Sequence, residues 1–153
     1  MRISAKADYA VRAMLELAIA SQSANLVKGD AISRGQDIPI KFLENILLDL
    51  RKSGLIRSQR GAEGGYRLAH AADEITIADI IRVVEGPLAF IRGERPEEVE
   101  YSGAAEHLPN VWIALRASIR SVLETVTLAD VVAGELPVQA RELTQDPDAW
   151  APH

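Results

Sequence analysis

The chain of 153 residues contains no cysteine. Disulfides, thiolate nucleophiles, zinc–thiolate centres and cysteine-ligated iron–sulfur clusters are thereby excluded. Histidine is scarce as well: His70, His107 and His153 are the three, and none sits in a Ser/His/Asp pattern. No phosphate-binding glycine loop ends in Lys-Ser/Thr, and the adjacent Glu97 and Glu98 do not have acid–base spacing. The chain therefore reads as a non-enzyme. Long apolar runs are missing too. Lys6, Asp8, Arg12 and Glu16 interrupt residues 1–20, which is the pattern of neither a signal peptide nor a membrane span, so a cytoplasmic location is expected. Finally, the second half of the chain has no lysine. Residues 1–70 carry 11 basic against 7 acidic residues, a net +4, and residues 71–153 carry 6 against 15, a net −9. The overall charge of −5 thus hides a basic front and an acidic back. That division is expected where one end meets phosphates and the other does something else.

What is present is organised around residues 38–68. Pro39 suits a first helical turn and Gly54 the left-handed position past a helix end. Between them Phe42, Leu43, Ile46, Leu47 and Leu50 recur at three- and four-residue steps, predicting one buried stripe. Lys41, Glu44, Asn45, Asp49 and Lys52 fall off it and face outward. Two short β-like runs then flank the glycine-rich loop Arg60-Gly61-Ala62-Glu63-Gly64-Gly65. This reads as a hairpin with Arg60 at its tip and Arg57 and Arg67 on its arms.

A first helix is predicted over Ser4–Ala20, capped by Ser4, with Tyr9, Ala10, Ala13, Met14, Leu17 and Ala18 on its core side. A short helix over Gly29–Arg34, with Ala31 and Ile32 inward, and the turn Gly35-Gln36-Asp37 lead into the helix at Pro39. This is helix-turn-helix grammar. Such a unit offers Ile40, Lys41, Glu44 and Asn45 to a major groove, where Lys, Asn and Glu can read guanine, adenine and cytosine edges. A flexible loop arginine such as Arg60 can reach a minor groove or a phosphate. Arg51, Lys52, Arg57, Arg67, Lys6 and Ser4 are the candidate phosphate contacts. Each of these side chains taken alone could be solvated surface; the order of three helices and a hairpin is the specific signal.

Met1-Arg2-Ile3-Ser4-Ala5-Lys6-Ala7-Asp8-Tyr9-Ala10-Val11-Arg12-Ala13-Met14-Leu15 resembles the opening of the IscR/NsrR/CymR-type bacterial transcription regulators, the Rrf family. So do Phe42-Leu43-Glu44, Leu50-Arg51-Lys52-Ser53-Gly54-Leu55 and the stretch Arg60 to Leu68. The resemblance spans about residues 1–134. It implies a homodimeric winged-helix regulator, usually a repressor, on a palindromic double-stranded operator. It also implies that Glu44 takes part in base discrimination and that Arg60 enters the minor groove. Where cluster-binding relatives supply three cysteines, residues 87–106 supply none, so no iron–sulfur cofactor is expected.

The remaining elements complete the expected architecture. Thr76-Ile77-Ala78-Asp79 starts a short helix that stops at Gly86-Pro87, with Ile77, Ile80, Ile81 and Val84 buried. Residues 87–106 form a long acidic connection. Its donors Glu94, Glu97, Glu98, Glu100 and Glu106, with His107, lack the spacing of a metal site, so no metal is expected. A small molecule or a protein effector could act there. Leu108, Trp112, Leu115, Ile119, Val122 and Val126 follow alternating steps of four and three, a heptad seam suited to dimerisation. Thr127 then caps a last short helix with Val131 and Val132 buried. The tail from Glu135 to His153 reads as disordered, or docked through Trp150. The expected fold is mostly α with a small β-hairpin wing. A winged helix-turn-helix domain (1–86), a connecting loop (87–106), a dimerisation helix with a short terminal helix (107–134) and a tail (135–153) follow one another. The competing reading is a protein–protein interaction module that keeps this fold and does not touch DNA.

Overall fold

The computed structural model describes residues 2–152; Met1 and His153 lie outside the described residues. Helix α1 (Ala5–Ser21) runs through the middle. The Ser4 hydroxyl accepts from the Ala7 amide at 3.0 Å and so caps it as predicted. Ala7, Ala10, Ala13 and Ala18 are buried with Met14 and Leu17. Four methyl-sized side chains let neighbouring backbones approach closely. Around α1 pack α2 (Gly29–Gln36), α3 (Ile40–Lys52), the hairpin strand β2 (Gly65–Leu68), α4 (Ile77–Glu85) and α6 (Leu128–Ala133).

Helices α2 and α3 form the helix-turn-helix. Asp37 takes a left-handed conformation between them (φ 51°), and the Ser33 hydroxyl donates to the Ile38 carbonyl at 2.6 Å. The α3 stripe is Leu43, Ile46, Leu47 and Leu50, each at most 1% exposed. Phe42 does not join it: the ring is 60% exposed and meets Tyr9 edge-on at 6.5 Å. It sits about a quarter-turn from the centre of the stripe, where α1 leaves it only a flank to lean on. Ala31, expected inward, is exposed, and Ile32 alone of that helix is buried.

Strands β1 (Ile56–Gln59) and β2 pair antiparallel, with Ile56 opposite Leu68 and Gln59 opposite Gly65. A third short segment, not foreseen, joins on the far side of β2. Val27 and Tyr66 exchange backbone hydrogen bonds of 2.9 and 2.8 Å. The loop glycines are steric requirements. A Cβ on Gly64 would stand 2.2 Å from the Gln59 carbonyl oxygen, and one on Gly65 would stand 2.8 Å from that of Val27.

Both α4 and α6 begin Thr-x-Ala-Asp and carry reciprocal capping boxes, Thr76 with Asp79 and Thr127 with Asp130. Their starts are bridged: the Ile77 amide donates to the Val126 carbonyl and the Leu128 amide to that of Ile75, both at 3.0 Å. Val126 is therefore buried at this bridge, and α5 (Leu108–Leu123) ends three residues before it. It is no part of a dimer-facing helix surface. In α6 the buried residue is Leu128, while Val131 is 36% exposed. That helix belongs to the body around α1.

Residues 87–106 are drawn into turns. Ile91 and Glu94 exchange two backbone bonds of 3.0 Å, Val99 is buried, and Arg92 lies over the Tyr101 ring. The segment is tied to α5 by Arg116, whose Nη1 meets Glu97 Oε2 at 2.6 Å. The chain after 134 also departs from expectation. Residues Val138–Gln145 form α7, which packs on α5 with Ala140 buried, and Trp150 Nε1 donates to the Thr144 carbonyl at 2.7 Å. Ala140, Leu143 and Trp150 share one apolar groove with Ile77, Val122 and Leu136; residues so spaced have a face to bury once α5 supplies the other wall.

Two outcomes are expected. Gly64→Ala must displace backbone, so urea unfolding should show a loss of about 1–3 kcal/mol; an unchanged midpoint would contradict the steric argument. Glu97 has its pKa held below the usual glutamate value by its backbone hydrogen bond and then by the Arg116 guanidinium. Its contact with Arg116 is thus fully present above the ordinary glutamate range and is lost as pH falls through the lowered value. An NMR titration should place the Glu97 midpoint below that of a free glutamate, with Arg116→Gln moving it back toward normal.

Candidate nucleic-acid interface

One side of the molecule gathers the outward face of α3 and the wing. Lys41, Glu44, Asn45 and Lys52 are all exposed, as the predicted periodicity requires. Ile40 and Leu48 share the face and are each 37% exposed. Arg51 points toward the wing, where its Nη1 lies 3.4 Å from the Ser58 hydroxyl. Arg60 is exposed at the wing tip. Arg57 and Arg67 stand directly opposite each other across the two strands, both exposed. Like charges in register oppose each other, and an anion between or beside them relieves that repulsion.

The cations of this face are unpaired. Among the described residues Lys41, Arg51, Lys52, Arg57, Arg60 and Arg67 form no salt bridge, whereas Arg82, Arg116 and Arg120 of the rear half are each held by a carboxylate. Unpaired cations on one face are available to an external anion. Ser4 and Lys6 are differently placed. The Ser4 hydroxyl, besides capping α1, donates to Glu85, and Lys6 Nζ is paired with Asp49 Oδ2 at 3.0 Å. The need to tie α1 to α3 and α4 uses the very groups that the sequence offered for phosphates. Lys28 was missed. It precedes α2, is exposed, forms no ion pair among the described residues, and lies near Arg51 and Arg60 beside the wing. Only the unforeseen Val27–Tyr66 pairing brings it there, and no local pattern signals that pairing.

The seam residues are likewise divided. Trp112, Leu115 and Ile119 line an apolar cavity of about 530 Å³ with Ile3, Ile81 and Phe90, and Val122 lines the groove under α7. Leu108 is half-buried, and Val111 and Leu115 remain 55% and 39% exposed. The apolar arc of α5 is wider than a two-stranded seam, so one flank serves its own chain and the other stays bare.

For metals the donor set is poor. Among the described residues no three His, Cys, Asp or Glu side chains converge as a metal site, and Glu97 is engaged by Arg116. With no cysteine in the chain, a thiolate-held iron–sulfur cluster does not fit it. No helix is long and apolar enough to cross a membrane among the described residues.

Comparison with known proteins agrees with this geometry. Residues 3–134 match Rrf2, described as an iron-dependent transcriptional regulator. Rv1287 of Mycobacterium tuberculosis, assigned as an HTH-type transcriptional regulator, is 52% identical over 146 residues, covering 95% of this chain and 90% of that protein. IscR of Cereibacter sphaeroides is 34% identical over 139 residues, covering 89% and 90%. Among solved structures CymR, the global cysteine regulator of Bacillus subtilis, superposes with a TM-score of 0.74 at 33% identity, covering 88% of this chain and 98% of its own. The helices and two-stranded hairpin match that winged helix-turn-helix structure. The chain belongs to the Rrf2 family of DNA-binding transcriptional regulators, and is not an enzyme.

Proposed function

We propose that this protein is a repressor that binds a palindromic operator as a homodimer, without a cysteine-ligated cluster. The observation that carries the reading is the cluster of unpaired cations on the α3–wing face, Lys41, Arg51, Lys52, Arg57, Arg60 and Arg67, none of which forms a salt bridge among the described residues. Lys41, Glu44 and Asn45 read base edges from the major groove, and Arg60 enters the minor groove. Arg51, Lys52, Arg57 and Arg67 contact phosphates. Lys6 joins them only by leaving Asp49, and Ser4 only by leaving its cap, so their part is minor. In this reading it acts in the cytoplasm.

One short helix makes too few base contacts for operator-level selectivity, and two half-sites supply the rest. The uncovered flank of α5, with Val111, Leu115 and the half-buried Leu108, supports pairing of two copies along that helix. An effector, small molecule or protein, acts through residues 87–107. The apolar cavity walled by Phe90 and Trp112 borders that segment and supports this assignment.

Fluorescence anisotropy on the protein's own upstream DNA and on a scrambled duplex, at several salt concentrations, tests the reading. Tight, selective and steeply salt-dependent binding is expected. Absent or salt-insensitive binding would favour the protein–protein module. Arg60→Ala is expected to cost roughly 1–2 kcal/mol of affinity and to relax preference for A·T pairs beneath the wing. Lys52→Ala should weaken all sequences alike, and a selective loss there would refute its phosphate role. Leu115→Glu should convert the dimer to a monomer by light scattering while the helical circular dichroism persists; a persistent dimer would remove α5 from the interface.

A further inference from the structure

A notch of about 390 Å³ opens between the wing and the start of α2. Lys28, Arg51 and Arg60 line it, with Ser58, Gln59 and the backbone around Gly65. The three cations come from three separately anchored places: the residue before α2, the last turn of α3, and the wing tip. No aspartate or glutamate lines the notch, and none of the three cations forms an ion pair among the described residues. Among the described residues, the one side-chain hydrogen bond any of the three makes is the long approach of Arg51 to the Ser58 hydroxyl.

The spacing of the walls is fixed. Val27, adjacent to Lys28, is bonded twice to Tyr66, and the wing turns back through Gly64 and Gly65 where no Cβ fits. Converging positive charge on a rigid frame selects an anion. Arginine's planar fork and lysine's point charge, with hydroxyl and amide donors beside them, suit a group that spreads charge over several oxygens. Phosphate is that group.

We propose that this notch seats one backbone phosphate of duplex DNA in each half-site, held between Lys28 and Arg51. Arg60, at the outer lip, extends to the minor groove. The seat locks the wing to the helix-turn-helix, so that the approach of the wing arginine is registered to the bases under α3. This rests on the DNA-binding reading above. Free inorganic phosphate shares the chemistry, and the test separates the two sources.

Lys28→Gln is the variant of choice, because the Lys28 side chain makes no capping bond and is exposed. On both the upstream and the scrambled duplex it should reduce the slope of log affinity against log salt by roughly two for the dimer, about one for each half-site, leaving the ratio of the two affinities unchanged. Neutral methylphosphonates placed singly along the upstream duplex should reveal one position per half-site that costs the wild type affinity and costs Lys28→Gln nothing further. An unchanged salt slope, or additive losses at every position, would overturn the seat. If the wild type binds no duplex, the DNA reading has failed, and so has the proposed source of the phosphate. Inorganic phosphate titrated into the labelled protein then decides the notch itself. Amide shifts at Lys28, Gly64 and Gly65 that vanish in Lys28→Gln would show a seat for a free anion, and their absence would remove the site.

Discussion

Close packing on the alanine face of α1 is the constraint from which the rest of the molecule follows. Ala7, Ala10, Ala13 and Ala18 give up side-chain volume, and five other elements use the space to reach one helix. A larger residue on that face would force off-rotamer side chains or backbone shifts on several elements together. Because α3 and β2 both rest on α1, the recognition helix and the wing share one support. The relative position of the α3 face and the wing is thus set by apolar packing well behind them.

Electrostatics is layered over that packing. Where charge holds the body together, it is paired: Lys6 with Asp49, Arg116 with Glu97, and Arg82 with Glu124. On the α3–wing face the cations stand alone among the described residues, and on the wing two of them face each other across strands. Exposed pairs contribute little to stability, so the value of the paired ones lies in fixing positions. The unpaired ones keep their full charge for a partner.

Most of the helix-turn-helix was legible because period, caps and turn residues agreed. Ser4, Thr76 and Thr127 cap helices where their residue types indicated, and Leu43, Ile46, Leu47 and Leu50 bury as one stripe. Periodicity gives a direction around a helix and not what stands opposite, so it does not by itself place Phe42, Val126 or Trp112. Phe42 meets the edge of α1, Val126 meets the start of α4, and Trp112 meets its own chain's cavity wall. Lys28 was invisible because a single bridged residue, Val27, carries it to the wing. The helix at 138–145 has weak local signals and a long-range partner, which is the kind of element a one-dimensional pattern loses.

The bridge between the starts of α4 and α6 has a topological consequence. The chain leaves the body after α4, passes through the acidic connection and α5, and returns at Thr127, where two backbone bonds tie the start of α6 to the start of α4. Everything between is a closed excursion with a hydrogen-bonded clasp. The entropy of such a loop grows only with the logarithm of its length. Residues can therefore be inserted, deleted or exchanged within the connection while the clasp and the body it fastens stay as they are. The fold thus leaves one stretch of chain free to vary while the rest is held to a single arrangement.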